Sequence, residues 1–351
     1  MQEHLLVSAS PHIRQDVSVP KVMYGVVIAL VPALIGSIYF YGLRALWITI
    51  LTVLVCLVTE AAIQRMRKVP VTIFDGSAIV TGILLAFNLP PGVPWWLPLV
   101  GAFFAMAIGK QVFGGLGFNP LNPALVGRAF LLASWPVHMT TTWMAGRDGT
   151  LSGIPMRGID VLTQATPLAV LEKVNEIIAD PSSAPHQIVQ ARQVLLELGS
   201  SDSIVNLFVG NVGGCIGETS ALLLLMGAAY LMFKRYIGWH IPLSYIVTVG
   251  VLAWIFGGAD GLFSGNALFH VLAGGLILGA FFMATDMVTS PVSPKGMLIF
   301  GVGCGVLTSV IRLIGGYPEG VSYSILLMNV ATPLIDRHTR PKRFGEVKKD
   351  G

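Results

Sequence analysis

The chain has 351 residues, a formal net charge of +4, 54% hydrophobic residues and only 11% charged ones, and its mean hydropathy is +0.74. Soluble domains carry about a quarter charged residues, so this composition excludes an ordinary soluble globular protein. The apolar residues fall in long runs between short Gly, Pro and charged breaks. That pattern predicts an all-α polytopic membrane protein, since a span needs roughly 17–25 apolar residues and lipid cannot satisfy free backbone groups outside helices.

In chain order, residues 1–21 form a polar N-terminus of mixed charge without the apolar core of a signal peptide. Five apolar segments follow, at 22–41, 46–63, 78–89, 95–108 and 121–135, together a first membrane repeat over 22–135. A long polar excursion occupies 136–217, and inside it 168–178 reads as a helix with Pro167 at its first position. A second set of apolar segments, 219–233, 241–257, 268–284, 297–314 and 321–335, makes a second repeat over 218–336, and a basic tail closes the chain at 337–351. About ten transmembrane helices are therefore expected, as two five-helix repeats.

Lys and Arg concentrate in cytoplasmic loops. An arrangement with both termini inside places Arg65, Arg67, Lys68, Lys234, Arg235, Arg337, Arg340, Lys342 and Arg343 in the cytoplasm. It places 88–94 and 258–267, which lack Lys and Arg, outside. The excursion also falls outside, with Arg147, Arg157, Lys173 and Arg192 against seven acidic residues, a net charge of −3.

The two halves echo one another. Lys110-Gln111-Val112-Phe113-Gly114-Gly115 precedes the fifth segment, and Arg312-Leu313-Ile314-Gly315-Gly316 precedes the tenth. The third ends at Asn88-Leu89-Pro90-Pro91, and the eighth ends in Asp286 followed by Pro291 and Pro294. An odd number of spans per half inverts the second copy. Inverted repeats with interrupted spans at matching positions point to a midplane path for an ion or small solute.

Few residues inside this greasy sequence could carry chemistry. Asp75 opens the third span and Asp286 closes the eighth, both on the cytoplasmic side. They read either as carboxylates at the mouth of a cation path or, for Asp75, as a helix cap. Arg128 lies within the fifth span, where it needs a carboxylate or a flavin as partner, and Asn329 is its repeat counterpart. Glu218 starts the sixth span, where capping explains an acid. Cys56, Cys215 and Cys304 are widely separated packing residues, with no metal site expected among them. His240 and His270 read as satisfied interface groups, and Trp95, Trp96, Trp135, Trp143 and Trp239 as an interfacial belt. No Gly-x-Gly-x-x-Gly motif follows a strand, so NAD is expected to bind elsewhere, and no nucleic-acid partner is expected.

The run Leu162-Thr163-Gln164-Ala165-Thr166-Pro167-Leu168 admits two readings. One is a Ser/Thr turn entering the following helix. The other is a threonine acceptor for covalent flavin mononucleotide, because the run resembles the motif on which membrane redox proteins carry FMN. A threonine hydroxyl without a flanking base is a weak nucleophile, so attachment would need a flavin transferase that forms a phosphoester through Thr166.

The chain as a whole resembles the D subunit of the Rnf complex and, more distantly, the B subunit of the sodium-pumping NADH–quinone reductase. The resemblance rests on Asp75-Gly76-Ser77-Ala78, Leu116-Gly117-Phe118-Asn119-Pro120-Leu121-Asn122-Pro123-Ala124, Thr163-Gln164-Ala165-Thr166, Gly214-Cys215-Ile216-Gly217-Glu218-Thr219-Ser220, Thr285-Asp286-Met287-Val288-Thr289 and Gly315-Gly316-Tyr317-Pro318-Glu319-Gly320. Gln164 stands where the family motif usually has glycine, which leaves Thr163 as a minor competing acceptor. The resemblance implies a subunit of a bacterial inner-membrane complex that couples electron transfer between ferredoxin and NAD to Na+ or H+ movement. It further implies covalent FMN on Thr166, a second, non-covalent flavin such as riboflavin, and partner subunits that include another flavoprotein and iron–sulfur proteins. The rival class is a redox-silent permease that uses the inverted repeat alone.

Overall fold

The computed structural model describes residues 18–144, 166–218, 220–259, 261–315 and 319–340. Every regular element among them is helical: α1 (Val19–Tyr41), α2 (Leu43–Met66), α3 (Ser77–Phe87), α4 (Trp96–Met106), α5 (Pro123–Ser134), α6 (Pro136–Thr140), α7 (Pro167–Ala179), α8 (Pro185–Leu198), α9 (Ser201–Val209), α10 (Ala221–Phe233), α11 (His240–Phe256), α12 (Ala267–Leu272), α13 (Leu276–Leu278), α14 (Pro294–Ile314) and α15 (Val321–Thr339). Local chemistry sets many of the starts. Asn122, Ser220, Asn266 and Ser293 each accept a backbone N–H at the first turn of α5, α10, α12 and α14, which satisfies donors that a helix start leaves free.

Helices cover each of the ten apolar segments, and they differ in length. Helices α1, α2 and α14, of 23, 24 and 21 residues, are long and apolar enough to cross a membrane. Helix α3 has 11 residues, roughly 16 Å of rise, about half of a bilayer core. The segment expected at 268–284 is broken. Helix α12 stops at Leu272, the chain turns through Ala273, Gly274 and Gly275, and α13 continues as a π turn over Gly279–Met283. The short apolar segment at 78–89 thus forms a half-length helix, and the span expected at 268–284 is interrupted. Gly274 explains the break: its φ is +70°, and a Cβ there would lie 2.7 Å from Leu168 Cδ1 on α7.

The packing pairs the two halves. Helix α2 lies on α3 and α4, and α11 lies on α12 and α14; α4 lies on α5, and α14 on α15. The halves meet where α1 crosses α10 and where α5 meets α15. At the first crossing a Cβ on Gly227 would lie 2.0 Å from Ala29 O, so the two backbones touch, as small residues allow in membrane helices. Ile28, Ile35, Leu54, Val58, Leu243 and Val247 remain exposed on the flanks of α1, α2 and α11, an apolar belt far larger than soluble surfaces tolerate. A second, smaller core joins α7, α8 and α9 to Phe269 and Ala273 at α12.

Contacts sort the connections into two opposite ends. At one, Tyr24 bonds to Phe74 O, Arg67 to Gln111 O, and Ser293 to Thr339. At the other, Tyr41 bonds to Val212 and Gly214 carbonyls, Arg44 to Gly92 O, and Ile216 N to Leu89 O. Residues 166–218 belong wholly to this second end, called here the α7 end.

Candidate functional site

Thr166 is the residue immediately before α7, with extended backbone (φ −65°, ψ 158°), and Pro167 opens the helix as expected. Its side chain makes no capping bond to the first turn, although threonine there commonly does. The residue is only 6% exposed and borders a narrow cleft lined by Leu207, Val212, Glu218, Leu272, Gly274 and Glu319. The other residues of the acceptor run, 162–165, lie outside the described residues.

Beneath this cleft lies a knot of charge. Arg128 projects from α5 and donates to Asn88 Oδ1 and Glu319 Oε2, with Glu218 Oε1 3.9 Å away. Of the two partners the sequence left open, carboxylates are the ones present. Cys215 Sγ and the Glu218 and Glu319 carboxylates lie within 4.8 Å of one another, but Arg128 already faces both acids, and Cys215 Sγ donates to Asn88 O. We read the group as an ion cluster. Glu218 is not the cap of α10: Ser220 takes that place, and Glu218 instead accepts from Cys215 N in the preceding turn.

A larger cavity of about 460 Å³ adjoins the cleft under α7. One wall is the inner face of α7 from Leu168 to Ala179; the others are the end of α11, His270 of α12 and the end of α14 at Arg312. Arg312 donates to the His270 and Ala273 carbonyls, 2.6 and 3.2 Å away, where the break leaves α12 without further helix. Its Nε, His270 Nε2 and Asn175 Oδ1 are buried without a hydrogen-bond partner among the described residues. His270 was expected to be satisfied, and it is not. Glu172 on the α7 wall has its carboxyl raised by burial first and by Glu176 second, against the opposing pull of Lys173.

At the opposite end the first half holds a buried polar chain. The π turn Ala107–Gln111 that ends α4 turns Lys110 inward, where Nζ lies 2.7 Å from Glu60 Oε1 and 2.6 Å from Ser77 Oγ. Ser77 in turn donates to Asp75 Oδ1 at 2.6 Å, and Ser77 N to the same oxygen at 2.8 Å. Asp75 thus accepts the first N–H of α3 from the residue before its cap position, Gly76, and also ends the chain Glu60–Lys110–Ser77–Asp75. Asp286 lines a cavity of about 80 Å³ together with Ser77, Lys110, Asn119 and Asn122, and accepts from Thr289 Oγ1 at 3.1 Å. Asn122 Nδ2 donates to Met283 O at 3.3 Å, tying α5 to the interrupted segment.

The fold thus gathers Asp75 and Asp286 at one end and Thr166, Arg128 and Glu218 at the other. Sequence reasoning passed over Glu60, the buried roles of Lys110 and Arg312, and Asn175. Glu60 was legible in principle, as a carboxylate inside the apolar run 46–63, because charge at membrane depth is costly and usually partnered.

Comparison with known proteins covers nearly the whole chain. Residues 6–345 match the NQR2, RnfD, RnfE family. Among curated relatives, the D subunit of the proton-translocating ferredoxin:NAD(+) oxidoreductase complex of Clostridium ljungdahlii is 48% identical over 341 residues, 97% of this chain and 96% of that one. The D subunit of the Na(+)-translocating ferredoxin:NAD(+) oxidoreductase complex of Acetobacterium woodii is 48% identical over 347 residues, 98% and 96% of the two chains. The D subunit of the ion-translocating oxidoreductase complex of Stutzerimonas stutzeri is 41% identical over 342 residues, 93% and 92%. Two relatives of equal identity name different ions, so similarity does not choose between Na+ and H+.

Proposed function

Because this chain belongs to the NQR2, RnfD, RnfE family, we propose that it is the membrane subunit that carries covalent FMN in an ion-translocating ferredoxin:NAD oxidoreductase. The near-complete likeness to the D subunits of such complexes supports the assignment to the complex. The observation that supports the flavin reading is the state of Thr166: a largely buried residue at a helix start, in an extended backbone, whose side chain caps nothing. That hydroxyl is free to be esterified without loss of a helix bond. Bound there, FMN would supply one- and two-electron transfer. The chain itself holds the tether on a docked helix, keeps Arg128, Glu218 and Glu319 in fixed relation below it, and shields the site with Leu207, Val212 and Leu272.

The membrane part belongs to the same proposal. Ten segments form two inverted halves, related by the matched packing of α2, α3, α4 and α5 with α11, α12–α13, α14 and α15. The half-length α3 and the interrupted α12–α13 fall at matching positions, as in proteins that pass ions near the midplane. The α7 end, with its acidic excursion, faces outside, and the end bearing Arg65, Arg67, Lys234 and Arg337 faces the cytoplasm. Asp286 and Asp75 then stand at the inner mouth, where they attract Na+ or relay H+. A second, non-covalent flavin is assigned to no particular residues. Expected partners are further membrane subunits, a second flavoprotein and iron–sulfur subunits.

The test is direct. The chain, purified from a host with a flavin transferase and denatured, is expected to keep flavin fluorescence on the polypeptide, and Thr166→Val to lose it. A wild-type chain without bound flavin would favour the redox-silent permease.

A further inference from the structure

Three cations from elements far apart in sequence meet at the end opposite α7. Lys21 stands in the first turn of α1, and Lys234 and Arg235 follow the last turn of α10. All three line one open cavity of about 830 Å³, bordered further by Leu116 before α5 and by Met287 after the interrupted segment. No carboxylate lines this cavity among the described residues, and none there forms an ion pair with Lys21, Lys234 or Arg235. The acid beside Met287, Asp286, borders the neighbouring inner cavity and accepts from Thr289. The positive-inside pattern accounts for a surplus of Lys and Arg in the loops of one side. It does not by itself gather them around one space.

The occupant that suits this space is anionic at one end and apolar at the other. Val19, Val22 and Met23 of α1 wall the cavity together with Leu116 and Met287. The start of α1 adds to the positive field, because Ser18 makes no capping bond and the first turn holds no acid. The positive end of that helix is therefore left for an outside anion. Away from the cations the apolar surface continues along α1 through the exposed Ile28, Val31 and Ile35. An acidic peptide would meet the charges, but its backbone would lose hydrogen bonds against that apolar wall. A phospholipid meets both, with its phosphate among the cations and an acyl chain on the helix flank.

We propose that this cavity binds an anionic phospholipid, its phosphate held by Lys21, Lys234, Arg235 and the start of α1, and an acyl chain laid along Val19 and Met23. Basic pockets between membrane helices take such head groups in general. The cations come from α1 and from the end of α10, the pair of helices at which the two halves cross. The lipid thus ties the halves together at their shared edge. The inference stands apart from the flavin on Thr166 and holds whether or not that group is present.

The experiment reconstitutes the assembled complex in phosphatidylcholine vesicles that contain a phosphatidylglycerol with a diazirine near the top of one acyl chain. After illumination, labelled peptides of this chain are mapped by mass spectrometry. The exposed α11 flank at Leu243 and Val247 measures bulk lipid contact. Labelling of 19–23, 116–117 and 287–288, which line the cavity, is expected to exceed that of the flank several-fold. Unlabelled phosphatidylglycerol should displace it, and phosphatidylcholine should not. The triple variant Lys21→Gln, Lys234→Gln, Arg235→Gln is expected to bring labelling down to the flank level, and Lys21→Arg with Lys234→Arg to keep it. Labelling no higher than the flank, equal displacement by phosphatidylcholine, or full labelling in the triple variant overturns the lipid site. Displacement by inorganic phosphate alone overturns it in favour of a free anion. A carbodiimide cross-link from Lys21 or Lys234 to a partner subunit overturns it in favour of an acidic protein segment. If the triple variant does not assemble, displacement in wild type decides.

Discussion

Arg128 sits against two carboxylates that have no other cation within ion-pair distance among the described residues. Removing it leaves Glu218 and Glu319 buried together, a change that typically costs about 3–5 kcal/mol. Arg128→Gln is therefore expected to lower the thermal midpoint of the purified protein well below that of wild type; an unchanged midpoint would show that the cluster is not structural. Thr166→Val should behave oppositely. It loses no capping bond, so the midpoint should hold while covalent flavin disappears, and Thr163→Val should keep the flavin. The place of Thr166 before a proline-led helix was legible because the pattern is local; its proposed role is what the flavin test decides. The partners of Arg128 were not, since Glu319 is 191 residues away in sequence. The same distance problem hid the pairing of Lys110 and Glu60, 50 residues apart.

Among the elements, α7 matters most, because it holds Thr166 and walls the larger cavity. It docks through Leu168, Val170, Leu171 and Val174 onto α8, α9 and the break after α12. Gly274→Ala is expected to loosen this docking on two counts: the backbone there has φ +70°, which costs a non-glycine residue about 1–2 kcal/mol, and the new Cβ meets Leu168. Faster tryptic cleavage at Lys173 and Arg192 would register the loosening; wild-type cleavage rates would show that α7 is held by other contacts. Long helices such as α1, α2 and α14 could be read from apolar run length, as could the start of α7. The shortness of α3 was legible in its brief apolar segment, 78–89, but the interruption at Gly274 was not, because mean apolarity reports burial or lipid contact, and the direction of the backbone depends on what packs against it.

For the whole molecule, the sorting of loops into two ends follows from the contacts, and the sides proposed for them rest on the positive-inside pattern. Ser182→Cys, at an exposed position between α7 and α8, should react with a membrane-impermeant maleimide added to intact cells, and Lys234→Cys should not. The native cysteines are all buried and give little background. The reverse labelling would put the α7 end in the cytoplasm and remove the basis for an outer flavin. Ion coupling tests the inner end: Asp286→Asn should lower coupled Na+ or H+ transport more than electron transfer, whereas equal transport in wild type and variant would exclude Asp286 from the path. The central claim, an electron carrier tethered at Thr166, is tested most directly by the intact mass of the native chain with peptide mapping. One FMN in phosphoester linkage on the peptide that contains Thr166 is the predicted result, and a chain that weighs no more than its amino acids, from a host with an active flavin transferase, would contradict it.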